Sequence, residues 1–344
     1  SGIYFLNFTT PEFNVNVCQL PFWSLTVLYS WKSFNEKKIY NWFLFGLFAS
    51  LGFLSKYLFL FLIIAIIFYY INNLKDYKKF DPEIFISIMV FLILISPHIY
   101  WLFQNNFSSI QYGLDRTNLR EQGLINHFKN PLIFLIKQII ILLPVLIYSV
   151  ILIKKKKIFL NRKDKKLNFL LSINLIPFAV MLIISFVSGA NIRTMWMTPF
   201  YLFLPLLIIY YYKKNINLNN IKNFFVTVLF LFLLSPIIYF SISSFDKTKR
   251  TDYPGREIAD LVQRKWNQNF QNEISVVVGD EWVAGNLSYH LGSRPKWFKS
   301  LNNLENFKEV GGVIYAGNPK ILKEICPGEY GTIRPTGFCM IGRR

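Results

Sequence analysis

Residues 1–245 alternate between apolar stretches and short polar gaps. About eight stretches can be read, at 17–31, 40–55, 57–73, 84–101, 131–153, 167–188, 195–212 and 221–244. Most are long enough for a tilted transmembrane helix, because a bilayer core of about 30 Å takes about 20 residues at 1.5 Å each. The gaps alternate in charge. Lys32, Lys37 and Lys38 fill one, and Lys75, Lys78 and Lys79 another. A third holds Lys154, Lys155, Lys156, Lys157, Arg162, Lys163, Lys165 and Lys166, and a fourth Lys213, Lys214 and Lys222. Cation-rich loops stay on the cytoplasmic side, so these four gaps face the cytoplasm and the intervening ones face outward.

From about residue 246 the pattern changes to short β-type runs punctuated by glycine and charge. A helix is predicted over 256–267 behind Pro254-Gly255, and a buried strand over 274–278 ending at Gly279-Asp280. A second helix is predicted over 282–291, a second buried strand over 313–315, and a short helix after Gly317-Asn318-Pro319. Asp280 at a strand end has two readings, a residue at a ligand-binding edge or a helix cap, and the cap is the commoner. The expected fold class is therefore mainly α. It comprises a polytopic helical bundle over 1–245 and a soluble, extracytoplasmic α/β domain over 246–344.

Composition agrees with a membrane protein, with 53% hydrophobic and 18% aromatic residues and a mean hydropathy of +0.33. A formal charge of +19 raises the possibility of nucleic acid, but 17 of the 38 cations lie in the four cytoplasmic gaps, where anionic headgroups are sufficient partners. Nucleic acid is not an expected partner. Of three cysteines, Cys18 falls in an apolar stretch, while Cys326 and Cys339 share the outer tail. An oxidising compartment permits those two to pair, and free thiols fit the sequence equally well. His98, His127 and His290 are too scattered to form a ligand set, so no metal cofactor is expected.

Sidedness then acts as a filter on the chemistry. The outer gaps hold three carboxylates, Glu12, Asp115 and Glu121, with the cations Lys56, Arg116, Arg120, Lys129 and Arg193. His98, Trp101, Gln104, Asn105, His127 and Trp196 stand beside them. Cations at headgroup level are what a lipid-linked phosphate leaving group requires, and a carboxylate is what an acceptor proton requires. Trp101, Tyr112, Trp196 and Tyr201 suit either sugar stacking or an interfacial aromatic belt. Isolated loop charges face water at little cost, so the combination carries the argument.

The run Gly46-Leu47-Phe48-Ala49-Ser50-Leu51-Gly52-Phe53-Leu54-Ser55-Lys56-Tyr57 resembles the glycine-punctuated helix ending in Thr/Ser-Lys-Tyr of bacterial GT-C membrane glycosyltransferases. The branch is glycosyltransferase family 39, which contains protein O-mannosyltransferases and the lipid A aminoarabinose transferase. Thr10-Pro11-Glu12 stands where that branch often has Thr-Pro-Asp. Ser96-Pro97-His98-Ile99-Tyr100-Trp101 followed by Asn105-Asn106-Phe107, and Trp196-x-x-Pro199, are similar to two further stretches of the family. The resemblance covers most of 1–245.

It implies transfer of a sugar from a polyprenyl-phosphate donor to an envelope acceptor (lipid A, another glycolipid, a polysaccharide or a protein). The reaction would run with inversion, on the periplasmic face of a bacterial inner membrane. Lys56 becomes an expected phosphate or sugar contact and Glu12 a second carboxylate. Tyr57, His98, Trp101, Asn105, Arg116, Arg120, Arg193 and Trp196 complete the expected substrate-binding set, with an outer cavity among Glu12, Lys56, Trp101, Asn105 and Trp196. The chain opens on Ser1 and a short apolar piece at 3–8, as if within a helix already under way. A truncated chain, inactive alone and lacking the loop that bears the family's principal base, is therefore expected. Two other classes remain open. A lipid-linked oligosaccharide transporter or assembly partner would show internal hydropathy repeats and midplane polar residues. An oligosaccharide ligase would show one long outer loop rich in Arg and His.

Overall fold

The computed structural model describes residues 14–74, 81–117, 123–153, 163–245, 253–299, 311–333 and 336–344. It divides into two compact units, Ser1–Ser241 and Ile242–Arg344. The first is helical. Its elements are α1 (Val15–Glu36), α2 (Ile39–Ser55), α3 (Leu60–Asn72), α4 (Ile84–Gln104), the short α5 (Ser108–Asp115), α6 (Asn126–Leu152), α7 (Lys165–Ser188), α8 (Leu204–Tyr212) and α9 (Ile221–Phe245).

All eight apolar stretches are helical, but they are not eight equivalent spans. The helices at Ile84–Gln104, Asn126–Leu152, Lys165–Ser188 and Leu218–Ile242 are long and apolar enough to cross a membrane. Thr194–Tyr201 and Leu204–Tyr212 form a pair bent by 48°. The helices Ile39–Ser55 and Tyr57–Asn72 are shorter. Hydropathy merged the bent pair into one run because it counts side chains and is blind to a break in the backbone ladder. Helix α1 is 22 residues long yet lines its inner face with Asn16, Gln19, Thr26, Ser30 and Ser33, spaced three or four apart beside Trp23 and Phe34. Helix α9 has none of its apolar window buried against the chain, as befits a surface meeting hydrocarbon.

Close packing explains the motif glycines. A Cβ on Gly46 would lie 2.5 Å from the Ser87 carbonyl oxygen of α4, so only glycine lets α2 approach α4 to the distance at which Ser87 Oγ donates to the Trp42 carbonyl. Small residues at such crossings are how helices associate in hydrocarbon, where no hydrophobic force drives them together. Gly52 likewise makes room for the buried Phe59 ring, which meets Trp23 edge-on at 5.3 Å. At the opposite end Phe34 stacks on Tyr70 at 4.9 Å, and Trp42 packs against both.

Hydrogen bonds gather the described flanks of the lysine-rich gaps at one end, residues 75–80 and 154–162 lying outside the described residues. Lys37 pairs with Asp81 at 3.3 Å, tying the α1–α2 turn to the start of α4. The Tyr69 hydroxyl donates to the Lys165 carbonyl, and the Tyr210 hydroxyl to the Asp164 carboxylate. The backbone of 216–217 joins that of 152–153. Asp164 also caps α7, accepting from Lys166 N and Leu167 N at 3.1 Å each. Desolvation opposes its charge, but the backbone N–H of Leu167, the Tyr210 hydroxyl, Lys213 and the Lys166 N–H together hold its carboxyl below the usual value.

The second unit is a five-stranded sheet in the order β2-β1-β3-β5-β4, with β1 (Ile274–Gly279), β2 (Lys296–Phe298), β3 (Gly312–Gly317), β4 (Glu329–Ile333) and β5 (Thr336–Ile341). Strand β1 runs parallel to β2 and β3, while β5 is antiparallel to β3 and β4. The helices α10 (Gly255–Asn269), α11 (Val283–His290) and α12 (Pro319–Ile325) fall close to their expected places. Trp266 of α10 sits over Gly312, where a Cβ would lie 2.0 Å from its ring. Strand β1 buries Val276, Val277 and Val278 in succession, whereas β3 alternates, so the expectation of two-sided burial holds only for β1. Strands β2, β4 and β5 were not read from sequence. The first is three exposed or half-exposed residues, and the pair β4–β5 is interrupted by Gly331 and Gly337. Asp280 is a cap, its Oδ1 accepting from Trp282 N and Val283 N. Cys326 and Cys339 are joined by a disulfide, linking the end of α12 to β5.

Two substitutions test this packing. Gly46→Val should destabilise the bundle by about 1–3 kcal/mol through overpacking against α4, read by denaturant titration in detergent micelles. Asp164→Ala should cost about 1 kcal/mol at neutral pH through loss of the cap. Because the folded carboxyl titrates below its unfolded value, its contribution is present above about pH 4 and is lost as pH falls through the depressed value. Melting curves of wild type and variant should therefore converge in acid.

Candidate functional site

The chemical residues gather at the end of the bundle opposite the lysine-rich gaps, around the junction of α2 and α3. Helix α2 stops at Ser55 because Lys56 takes an extended backbone, φ −166° and ψ 134°, before a 3-10 turn at Tyr57–Phe59 resumes the chain. This one extended residue turns the chain between the helices, and Lys56 and Tyr57 serve two different clusters.

Lys56 turns toward α1 and the bent segment. Its Nζ donates to Asn16 Oδ1 and lies 5.1 Å from the centre of the Trp196 ring. Among the described residues no carboxylate pairs with it, so a half-buried amine is held by one amide oxygen and one aromatic face. Burial pushes the pKa of this amine down to about 7, and an incoming anion restores its charge, so a site of this kind favours an anion. Asn16 is itself buried, one helical turn from Gln19, which is fully buried with Oε1 unpartnered among the described residues.

Tyr57 turns toward α4 and α5. Its hydroxyl lies 2.7 Å from both His98 Nε2 and Ser109 Oγ. The His98 ring stacks on Trp101 at 5.7 Å and 14°, which gives a tiered aromatic wall of Phe53, Tyr57, His98 and Trp101. Pro97, one residue before His98, lies inside α4. Asn105 caps α4 by donating to the Trp101 carbonyl. Phe107 then starts α5 in the left-handed region, φ 54°.

A third group closes the same end. His127 Nδ1 donates to the Phe186 carbonyl at 2.9 Å, Asn130 Nδ2 to the Gly189 carbonyl, and Asn191 N to the Thr117 carbonyl. This web fixes the segment leading to Arg193, which is exposed. Arg116 lies over the Tyr112 ring at 4.8 Å. Trp196 opens the 3-10 pair in which Pro199, Phe200 and Tyr201 are buried, and Tyr201 donates to the buried Gln138 Oε1.

Of the residues expected from sequence, the structure joins Lys56 with Trp196, and Tyr57 with His98 and Trp101. Arg116 and Arg193 lie on neighbouring loops tied by the Thr117–Asn191 bond. Glu12, Arg120 and Glu121 lie outside the described residues, as does the Thr-Pro-Glu stretch. Asn16 and Ser109 were not singled out in the sequence. Asn16 offered the signal of an amide near the start of an apolar helix, whereas Ser109 offered none, since only folding brings α5 to Tyr57. The Tyr57 hydroxyl links this junction to α5 through Ser109 Oγ. Tyr57→Phe should therefore raise amide hydrogen exchange across α5 while leaving α7 unchanged, as read by mass spectrometry.

Residues 1–101 match the model of a family described as dolichyl-phosphate-mannose-protein mannosyltransferase. No curated protein and no solved structure matches the chain. The matched stretch contains Asn16, Lys56, Tyr57, His98 and Trp101, and together with the apolar helices it points to a multi-pass membrane glycosyltransferase of the GT-C type.

Proposed function

We propose that this protein transfers a sugar from a polyprenyl-phosphate-linked donor to an envelope acceptor at the outer face of a bacterial inner membrane. The observation that carries the reading is Lys56, a desolvated amine held by Asn16 and the Trp196 ring with no carboxylate partner among the described residues, next in the chain to the separate aromatic cluster of Tyr57, His98 and Trp101. The bond between the anomeric carbon and the phosphate oxygen breaks as an acceptor oxygen bonds to that carbon from the opposite face. The phosphate leaves with the bonding electrons, and the acceptor proton passes to a carboxylate. Lys56 stabilises charge that grows on the departing phosphate, which is where a fixed cation lowers a barrier most. Arg116, Arg120 and Arg193 are assigned to the same phosphate, and Trp101 and Trp196 to the sugar ring. Glu12 is the candidate second carboxylate. The acceptor is a lipid, glycan or protein.

The test is transfer from radiolabelled polyprenyl-phosphate mannose to native envelope fractions, in membranes carrying the full-length protein. Lys56→Ala should lower kcat by about 100-fold or more, in line with loss of one preorganised charge donor. Unchanged turnover by a variant that is still inserted and monodisperse would reduce Lys56 to a helix-end anchor and remove the reading's main support.

A further inference from the structure

In the second unit a cleft of about 430 Å³ opens at the amino end of β1, between the last turn of α10 and the loop after α11. Its walls carry Gln263, Asn267, Asn272, Glu273 and Ser293, with Phe270 at the base. We infer that this cleft binds a neutral carbohydrate, a site distinct from Lys56 and not required by the transferase reading.

The argument begins with which side chains of α10 reach the cleft. Gln263 and Asn267 are four residues apart and share one helix face. The intervening cations are turned away: Arg264 Nε donates to the Asp260 carbonyl, and Lys265 Nζ to the Tyr330 carbonyl at 3.0 Å. In a chain with 38 cations, a cleft lined by carboxamides, one hydroxyl and one carboxylate is therefore a selected surface. Without a cation it has nothing to attract phosphate or sulfate, and Glu273 repels them. With one aromatic residue at its base and amides on its walls, it lacks the apolar area that an acyl chain needs.

The amides are also pre-oriented. Gln263 Nε2 donates to Asn267 Oδ1 at 2.9 Å, which leaves Gln263 Oε1 as an acceptor and Asn267 Nδ2 as a donor. Asn272 Oδ1 accepts from Arg343 N at 2.8 Å, so Asn272 presents its Nδ2 donors. The turn holding them is pinned twice more, because Gln271 N donates to the Arg343 carbonyl and Trp266 Nε1 to the Asn272 carbonyl. Alternating fixed donors and acceptors complement the hydroxyls of a sugar, each of which both gives and takes a hydrogen bond. Orientation before binding lowers the ordering cost for a ligand whose individual contacts are weak.

The test is saturation-transfer NMR on the full chain in nanodiscs. The probes are mannobiose, cellobiose and N,N′-diacetylchitobiose, with inorganic phosphate and triglycine as comparison ligands. At least one disaccharide should receive saturation from wild type and from Lys56→Ala alike. Its affinity should fall at least tenfold in the double variant Gln263→Ala, Asn267→Ala, whose exposed or half-exposed positions should leave the melting curve in place. No transfer to any of the three disaccharides, transfer that survives the double substitution, or binding of triglycine or phosphate in their stead would each overturn the inference. Loss of transferase activity in Lys56→Ala with disaccharide binding intact separates this site from the catalytic reading.

Discussion

Hydrocarbon cannot hydrogen-bond, and the first unit is organised around that fact. Polar groups must leave the bilayer at one end or the other, or find partners inside it. Lys37, the Lys165 carbonyl, Asp81, Asp164 and the Tyr69, Tyr70 and Tyr210 hydroxyls meet at one end. Lys56, Tyr57, His98, His127 and Asn130 meet at the other. The polar face of α1 is the exception that proves instructive. Its Ser30 and Ser33 hydroxyls turn back onto their own helix carbonyls, so a stripe of small polar residues crosses the interior while leaving those hydroxyls satisfied.

The junction at Lys56 shows how a local backbone choice creates a site. One extended residue between two helices points Lys56 at α1 and Trp196 while pointing Tyr57 at α4 and α5. Gly52, one turn earlier, admits the Phe59 ring that returns the chain into the core after this break. The same glycine therefore belongs to packing, while the two residues after Ser55 enter two separate polar clusters.

The second unit follows the rules of a water-soluble α/β fold. Asp280 and Asn318 cap the helices that follow β1 and β3. Gly279, at φ 151°, takes a conformation that side chains rarely adopt, and an added Cβ would lie 2.1 Å from the Ala316 carbonyl oxygen. These turns are built for close strand approach, which gives the Gly279-Asp280 step an architectural role. Specific polar surface appears instead at the amino end of β1, where the chain terminus pins a turn of amides.

The sequence by itself determined the helical stretches, their separation into two polar ends, the tail's first two strands and its helices, and the candidacy of Lys56, Tyr57, His98, Trp101 and Trp196. Hydrophobic period and loop charge are local quantities, and each follows from which solvent a residue must meet. Only the tertiary structure decided which candidates touch. It paired Lys56 with Asn16 and Trp196, brought Ser109 to Tyr57, placed Asn105 at the end of α4 and Asp280 at the start of α11, and bent the Thr194–Tyr212 stretch into two helices. It also assembled β2, β4 and β5, whose short or glycine-broken runs acquire strand geometry only when neighbours supply their hydrogen bonds. Contacts between residues 40 or more positions apart depend on how helices cross, and crossing is set by shape at places such as Gly46 and Ser87, which no period along the chain records.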